Sequence, residues 1–284
     1  ALMPRPRTIL SRLAPVAAVA AASVALAGCS TGQPAASGEP AASGEASTGL
    51  TIEQVREAGT LVVGTEGTYS PFSFYEGGAG ELTGYDVEII TAVAEELGVE
   101  VEFVETPWDA IFAALDSGRV DVIANQVSIT PERLERYVFS EPYTYSPGVL
   151  IVPEGSDIAS FDDLAGRTSA QSLTSNWAEI ATEAGADVEE VEGFAQAAEL
   201  LRSGRVDATI NDRLTYLDYV QSQGGETGLV DIAETEETSE NALAFRAGSE
   251  SLVTAVDEAL ATLAEDGTLA EISERYFGED VSQP

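Results

Sequence analysis

From Leu50 onward the chain alternates between two hydrophobic periods. Short apolar runs or period-two segments stand at Leu61–Gly64, Val99–Val104, Val120–Ala124, Gly148–Val152, Arg167–Ala170, Val188–Val191 and Val206–Ile210, and they predict strands. Between them, apolar residues at helical spacing predict helices over Thr51–Ala58, Tyr85–Leu97, Trp108–Leu115, Ser160–Ala165, Asn176–Ala184, Phe194–Arg202, Leu252–Glu265 and Leu269–Phe277. Stop and start signals agree: Thr51 can cap the first helix, and Gly59, Gly98 and Gly118 follow three of them. Strands alternating with helices imply an α/β fold with a largely parallel sheet.

One phrase occurs twice. Ser117–Asn125 reads SGRVDVIAN and Ser203–Asn211 reads SGRVDATIN, sharing six of nine positions. In each copy Gly ends a helix in a left-handed conformation, Val opens the next strand, and Asn falls at that strand's carboxyl end. Ligands of open α/β sheets bind beyond the carboxyl ends of strands, which puts Asn125 and Asn211 at the functional edge of two separate units. Helix–Gly–strand is also a common structural joint, and spacing alone leaves both readings open.

The N-terminal segment has a different character. Arg5, Arg7 and Arg12 precede the apolar run Leu13–Gly28, in the order of a secretory signal. As a membrane span that run is short and rich in small residues. It ends in Leu26-Ala27-Gly28-Cys29, which resembles the lipobox of bacterial lipoproteins; the resemblance implies cleavage after residue 28 and lipidation of Cys29. Residues 29–49 then read as a lipidated Cys and a flexible tether, with PAASGE in tandem at Pro34–Glu39 and Pro40–Glu45. A coil of this length reaches about 25 Å.

Composition narrows the chemistry. Among 284 residues, 49 are acidic and 13 basic, giving a formal net charge of −36, and every basic residue is Arg. Such a surface excludes nucleic acid, whose phosphates need basic contacts, and docking on anionic lipid through the folded surface. The absence of His removes the commonest general base and zinc ligand. A single Cys excludes an internal disulfide. No metal site or cofactor is expected.

The stretches GTEGTYSPFSFYE (Gly64–Glu76), GELTGYDVEIITAVAEELG (Gly80–Gly98), WDAIFAALDSGRVDVIANQVSITPERLERYVFSEPY (Trp108–Tyr143) and AQSLTSNWAEIA (Ala170–Ala181) resemble the family 3 solute-binding proteins, which serve ABC importers of polar amino acids. The resemblance runs from about Thr51 to Gly278. The segments Glu66–Tyr69, Asn125–Val127, Gln171–Asn176 and Ala208–Asp212 look most like the cystine-binding members. It implies a type II periplasmic-binding-protein fold: two α/β lobes, each with a mixed, mainly parallel sheet, joined by two hinge strands. Lobe 1 would comprise residues 50–142 plus 241–284 and lobe 2 residues 143–240, with crossings near Glu141–Ser146 and Thr238–Asn241. The implied partners are an amino-acid ligand, an ABC permease and its ATPase subunit, with the protein monomeric and lipid-anchored outside the cytoplasm. A sensory role, in which the closed form signals to a receptor, stays open.

Ligand chemistry can be argued beside this. A free amino acid carries a carboxylate and an ammonium group, and burying both requires a fixed cation and a fixed anion. Arg133 matches the family's carboxylate-binding Arg, whose planar fork suits two oxygens; the bland alternative is a surface pair with Glu132 or Glu135. Asp212 matches the ammonium-binding acid, which composition alone would not single out. By the same resemblance Tyr69 and Trp108 are aromatic walls, Glu66 an acid near the ligand, and Asn125, Gln126 and Ser128 the lobe 1 edge. Gln171, Thr174 and Ser175 belong to the lobe 2 loop that reaches the ligand. Asn211 stands where some relatives have His. An enzymatic use of the fold, with Glu66 as general acid, is the remote alternative, since no His and no appended catalytic domain accompany it.

Overall fold

The computed structural model describes residues 49–284; the secretory run, Cys29 and the tandem PAASGE repeats lie outside the described residues. The chain opens with helix α1 (Ile52–Ala58), fixed at one end by a reciprocal capping box between Thr51 and Gln54 and at the other by left-handed Gly59. Then follow β1 (Thr60–Thr65), the small ribbon β2 (Phe74–Tyr75) and β3 (Leu82–Thr83), α2 (Tyr85–Leu97), β4 (Glu100–Glu105), α3 (Trp108–Asp116), β5 (Val122–Ser128), α4 (Pro131–Leu134) and β6 (Tyr137–Phe139). A long strand, β7 (Thr144–Pro153), leads to β8 (Thr168–Gln171), α5 (Asn176–Glu183), β9 (Asp187–Glu190), α6 (Phe194–Arg202), β10 (Thr209–Asp212) and α7 (Arg213–Ser222). An 18-residue strand, β11 (Leu229–Arg246), returns to α8 (Glu250–Glu265) and α9 (Thr268–Phe277). The short helix expected at Ser160–Ala165 is a 3₁₀ turn, Phe161–Leu164.

Two halves are built alike. In the first, β4, β1 and β5 run parallel; in the second, β8 and β9 are parallel, and a parallel bridge joins Ser169 to Ala208 just before β10. β7 and β11 pair antiparallel with each other and stitch the halves together. β10 adds to β7, while the last residues of β11 pair with β5 and β6. Alternation along these strands sends side chains to opposite faces. Leu243 and Phe245 pack with Leu61, Val63, Ile89 and Ile90, whereas Ala244 faces Ile111, Leu115 and Ile123. In the second half Val149 and Ile151 meet Phe194 and Leu201, whereas Leu150 and Val152 meet Trp177 and Ile210.

The repeated phrase makes the same joint twice. Gly118 and Gly204 have φ of 72° and 66°. Asp121 donates its N–H to the Val62 carbonyl and accepts the Val62 N–H on its carboxylate. Asp207 makes the same two bonds with Thr168. Each Asp thus clips the entering strand to its parallel neighbour.

The two Asn residues sit differently from the expected strand ends. Asn211 is the penultimate residue of β10, but β5 does not stop at Asn125 and continues to Ser128. Pairing with β1 ends at Ile123, the register with β11 slips between Ala242 and Ala244, and Gln126 takes a left-handed φ of 49°. This is a bulge, which turns the strand from the parallel sheet toward β11 and re-aims Asn125 and Gln126.

Gly148 in β7 lies under Trp177: a Cβ there would stand 2.3 Å from Trp177 Cζ3 and 2.9 Å from Thr235 Cγ2. Gly148→Ala should lower unfolding stability by about 1–3 kcal/mol through overpacking, read by urea denaturation followed by tryptophan fluorescence.

Candidate functional site

The bulge in β5 is held by a buried acid. Asp86, in the first turn of α2, accepts the Gln126 N–H at 2.7 Å and the Gln126 side-chain amide at 2.6 Å. The same amide donates to Thr144 at the start of β7. Two bonds from one carboxylate offset the cost of a left-handed non-glycine residue. Asn125 next to it accepts from Thr65 Oγ1 and the Glu66 N–H and donates to the Glu66 carboxylate at 2.7 Å. The end of β1 and the bulge of β5 therefore form one polar edge.

Across from this edge stands the second half. Tyr69 donates to Asn211 Oδ1 at 3.0 Å. A cavity of about 580 Å³, including its open mouth, lies between them. Glu66, Tyr69, Trp108, Asn125 and Gln126 line it from the first half, and Gln171, Ser175 and Asn211 from the second. Its far wall is apolar: Trp177, Val191, Phe194 and Ala197. Both tryptophans of the chain, Trp108 and Trp177, thus border the cavity.

Arg133 and Thr174 line an adjoining cleft that shares Ser175 and Asn176 with the cavity. Arg133 is buried, at 9% exposure. It donates to the Ser128 carbonyl at 2.9 Å and the Thr174 carbonyl at 3.5 Å, and its guanidinium lies 5.2 Å from the Trp108 ring centre. Among the described residues no ion pair joins it to a carboxylate, so the surface pairing with Glu132 or Glu135 does not occur. Burial lowers its pKa to about 10.

The acids are in the mirror-image situation. Asp212 is 2% exposed and caps α7, accepting from Leu214 N–H and from Ser146 Oγ at 2.7 Å. Burial raises its pKa to about 6 against those bonds. Burial likewise raises Glu66 to about 7, opposed by the Asn125 amide and the Trp108 N–H. Asp86 is raised to about 7 by burial, opposed by Gln126. No Arg forms an ion pair with any of the three among the described residues.

The remaining expected residues are placed as follows. Ser175 caps α5, accepting the Ala178 N–H; Gln171 closes β8 and donates to Ser169. The Ser128 hydroxyl turns away to Asn241 on β11, leaving its carbonyl for Arg133. Asp212 does not itself border the cavity; its neighbour Asn211 does. Sequence reasoning missed Asp86, Trp177 and Phe194. Asp86 reads as an ordinary acid in a helix's first turn, and Trp177 and Phe194 read as core positions of amphipathic helices.

These features define a class: a two-bodied α/β binding fold whose halves meet over a ligand cleft along shared strands. Residues 61–279 match the model of the bacterial extracellular solute-binding proteins, family 3, and the chain belongs to that family. It is 50% identical over 231 residues to the L-cystine-binding protein TcyA of Bacillus subtilis, covering 81% of this chain and 85% of the relative. It is 44% identical to the L-cystine solute receptor of Neisseria gonorrhoeae in its unliganded open conformation, covering 83% of this chain and all of that one, with a TM-score of 0.56. An ancestral arginine-binding protein bound to arginine is 37% identical, covering 78% of this chain and 99% of its own, with a TM-score of 0.72. In this chain direct hydrogen bonds join the two halves, among them Tyr69 to Asn211. No helix among the described residues is long and apolar enough to cross a membrane.

Glu66, Asp86 and Asp212 keep protons in the folded chain at pH values where the unfolded chain has lost them. Their contribution to stability is full below the ordinary carboxylate range and is lost as pH rises through about 6 to 7. The ligand-free protein should lose thermal stability between about pH 4 and pH 8. Asp212→Asn should reduce that fall by about 2–4 °C, as measured by calorimetric scans of both proteins across the range.

Proposed function

We propose that this chain is the capture component of an ABC importer for a polar amino acid, with L-cystine the favoured ligand, and that it works by hinge closure. One observation carries the reading. Arg133, buried and without a carboxylate, borders the cleft adjoining the cavity that Glu66 lines; Asp212 is buried one residue past the lining residue Asn211; and among the described residues neither acid has a cation. A zwitterion supplies both missing charges at once. Arg133 takes the α-carboxylate with its fork, and Asp212, seconded by Glu66, takes the ammonium group. Tyr69 and Trp108 pack on the ligand from the first half, Asn125 and Gln126 supply polar contacts beside them, and the Gln171–Ser175 segment closes from the second. Ser128 acts through its carbonyl, which holds Arg133.

We read residues 50–142 plus 241–284 as lobe 1 and 143–240 as lobe 2, with the β7–β11 pair as the hinge. The open form receives the ligand, the closed form excludes water from it, and differential affinity for the closed form shifts the population. Cystine is favoured because relatives named for it match at 50% and 44% identity. The cavity also extends past Asn211 to the Trp177–Phe194 wall. The chain is read as a monomeric binder rather than an enzyme, so ligand should be recovered unchanged.

Calorimetry and tryptophan fluorescence with L-cystine, L-glutamine, L-arginine and L-histidine test this. L-Cystine should bind tightest, with both tryptophans reporting; absence of binding by all four would sink the proposal. Arg133→Ala should weaken binding by about two orders of magnitude. Binding should strengthen, with proton release, as pH rises through about 6 to 7, because an ammonium group favours the ionised forms of Asp212 and Glu66. Anchoring through a lipidated Cys29 is part of the proposal. Cys29→Ala should move the protein from the membrane fraction to the medium, and unchanged fractionation would refute the anchor.

A further inference from the structure

Two ties cross between the halves beside the cavity lined by Tyr69 and Asn211. Asp109, the second residue of α3, accepts both the Thr174 N–H at 2.9 Å and the Thr174 hydroxyl at 2.7 Å on one oxygen, Oδ1. Ser70, just after Tyr69, donates to Asp218 Oδ2 on α7 at 2.9 Å. Ser70 and Asp218 are absent from the lining of the cavity and of the adjoining cleft, and Asp109 is absent from the cavity lining but borders that cleft beside Thr174. Asp109 and Ser70 belong to the half built on β1 and β5, and Thr174 and Asp218 to the half built on β8 and β10.

Hydrogen bonds lose most of their strength within a few tenths of an ångström and a few tens of degrees. A rotation about the β7–β11 strands breaks both ties, so they exist only in the closed arrangement. Each uses a carboxylate acceptor with no cation beside it, which makes the bond stronger than a neutral one. Asp218 is half-buried, and its pKa is raised by that burial despite the Ser70 bond. The Thr174 tie has a further consequence: it fixes the peptide whose carbonyl receives Arg133.

We propose that Asp109–Thr174 and Ser70–Asp218 form a two-point latch that sets the closed-state population, and with it the residence time of any bound amino acid, without contacting that ligand. The proposal rests on the hinge-closure reading. Apparent affinity scales with the fraction of competent, closed protein, so a latch changes the affinity of every ligand by one common factor. A residue that touches the ligand changes ligands unequally.

The variants Ser70→Ala, Asp218→Ala, Asp109→Ala and Asp109→Asn test this in two measurements. The first is stopped-flow tryptophan fluorescence with L-cystine and L-glutamine. Each Ala variant should raise the dissociation rate by about five- to tenfold, by the same factor for every amino acid that binds. Asp109→Asn keeps an acceptor at Oδ1 and should stay within about twofold of the parent protein. The Ser70→Ala/Asp218→Ala double variant should be no weaker than the worse single one. The second measurement is small-angle scattering without ligand, in which the Ala variants should shift toward a more expanded form. Unchanged dissociation rates and scattering would overturn the latch. So would unequal effects on two amino acids, or an Asp109→Asn protein as weak as Asp109→Ala, which would make charge rather than the tie responsible. If none of the amino acids binds, the functional reading fails, and scattering alone then decides the latch.

Discussion

A charge taken out of water without a partner costs several kcal/mol, and proteins ordinarily neutralise it, pair it or avoid it. Here Arg133 borders a cleft adjoining the cavity that Glu66 lines, Asp212 is buried one residue past the lining Asn211, and among the described residues no ion pair joins the cation to either acid. Arg133 is held by two carbonyls and two aromatic rings, Asp212 by a hydroxyl and a helix N–H, and Glu66 by an amide. These contacts orient each group without cancelling its charge. Burial accordingly pushes the pKa of Arg133 down and those of Asp212 and Glu66 up. One cation and two acids near the cavity and its adjoining cleft are therefore left without ion-pair partners among the described residues.

That arrangement depends on where the backbone departs from regularity. Gln126 lies in a left-handed bulge that a regular strand would not contain, and Asp86 holds it there with two bonds. Because Gln126 also bonds Thr144, the same acid ties the polar edge to the start of β7. The long strands β7 and β11 then carry both halves, so that motion of one half over the other need not disturb the geometry of either edge. The polar edge and the start of β7 are thus neighbours in one hydrogen-bonded network around Asp86.

Most of the α/β frame was legible in the sequence because its core strands are short and apolar and its helices are ended by glycine. Thr51, Gly59, Gly98, Gly118 and Gly204 all act at the ends where their chemistry predicts. β11 was not legible. Its middle, Glu234–Glu240, is ETEETSE, with no apolar period, because that stretch is largely exposed and its pairing with β7 rests on backbone bonds rather than on a buried face. α7 was missed for a related reason: its apolar residues do not gather on one strong stripe, and Asp212, its cap, reads as one acid among many. In the site, Arg133 stood out because arginine is scarce and every other cation is missing. Asp86 and Trp177 did not, since an acid in a first helical turn and an aromatic on a helix have ordinary structural uses.

Contrast within the chain separates paired buried charge from unpaired buried charge. Arg246 is buried like Arg133, at 6% exposure, and also donates to two backbone carbonyls, those of Leu115 and Val120. Arg246, however, has Asp121 at 3.9 Å, and Asp121 is itself occupied by the Val62 N–H within the repeated joint. That pair is closed on itself and lies at the amino end of β5. Arg133 lies beyond the other end of the same strand, with the same kind of carbonyl contacts and no acid. Asp121 and Asp207 clip strands at the centre of the repeated phrase, while Asp212, one residue past the second copy, is buried without a cation. The amino end of β5 thus carries a paired charge and the region beyond its carboxyl end an unpaired one, as expected where a parallel sheet presents its ligand-binding edge.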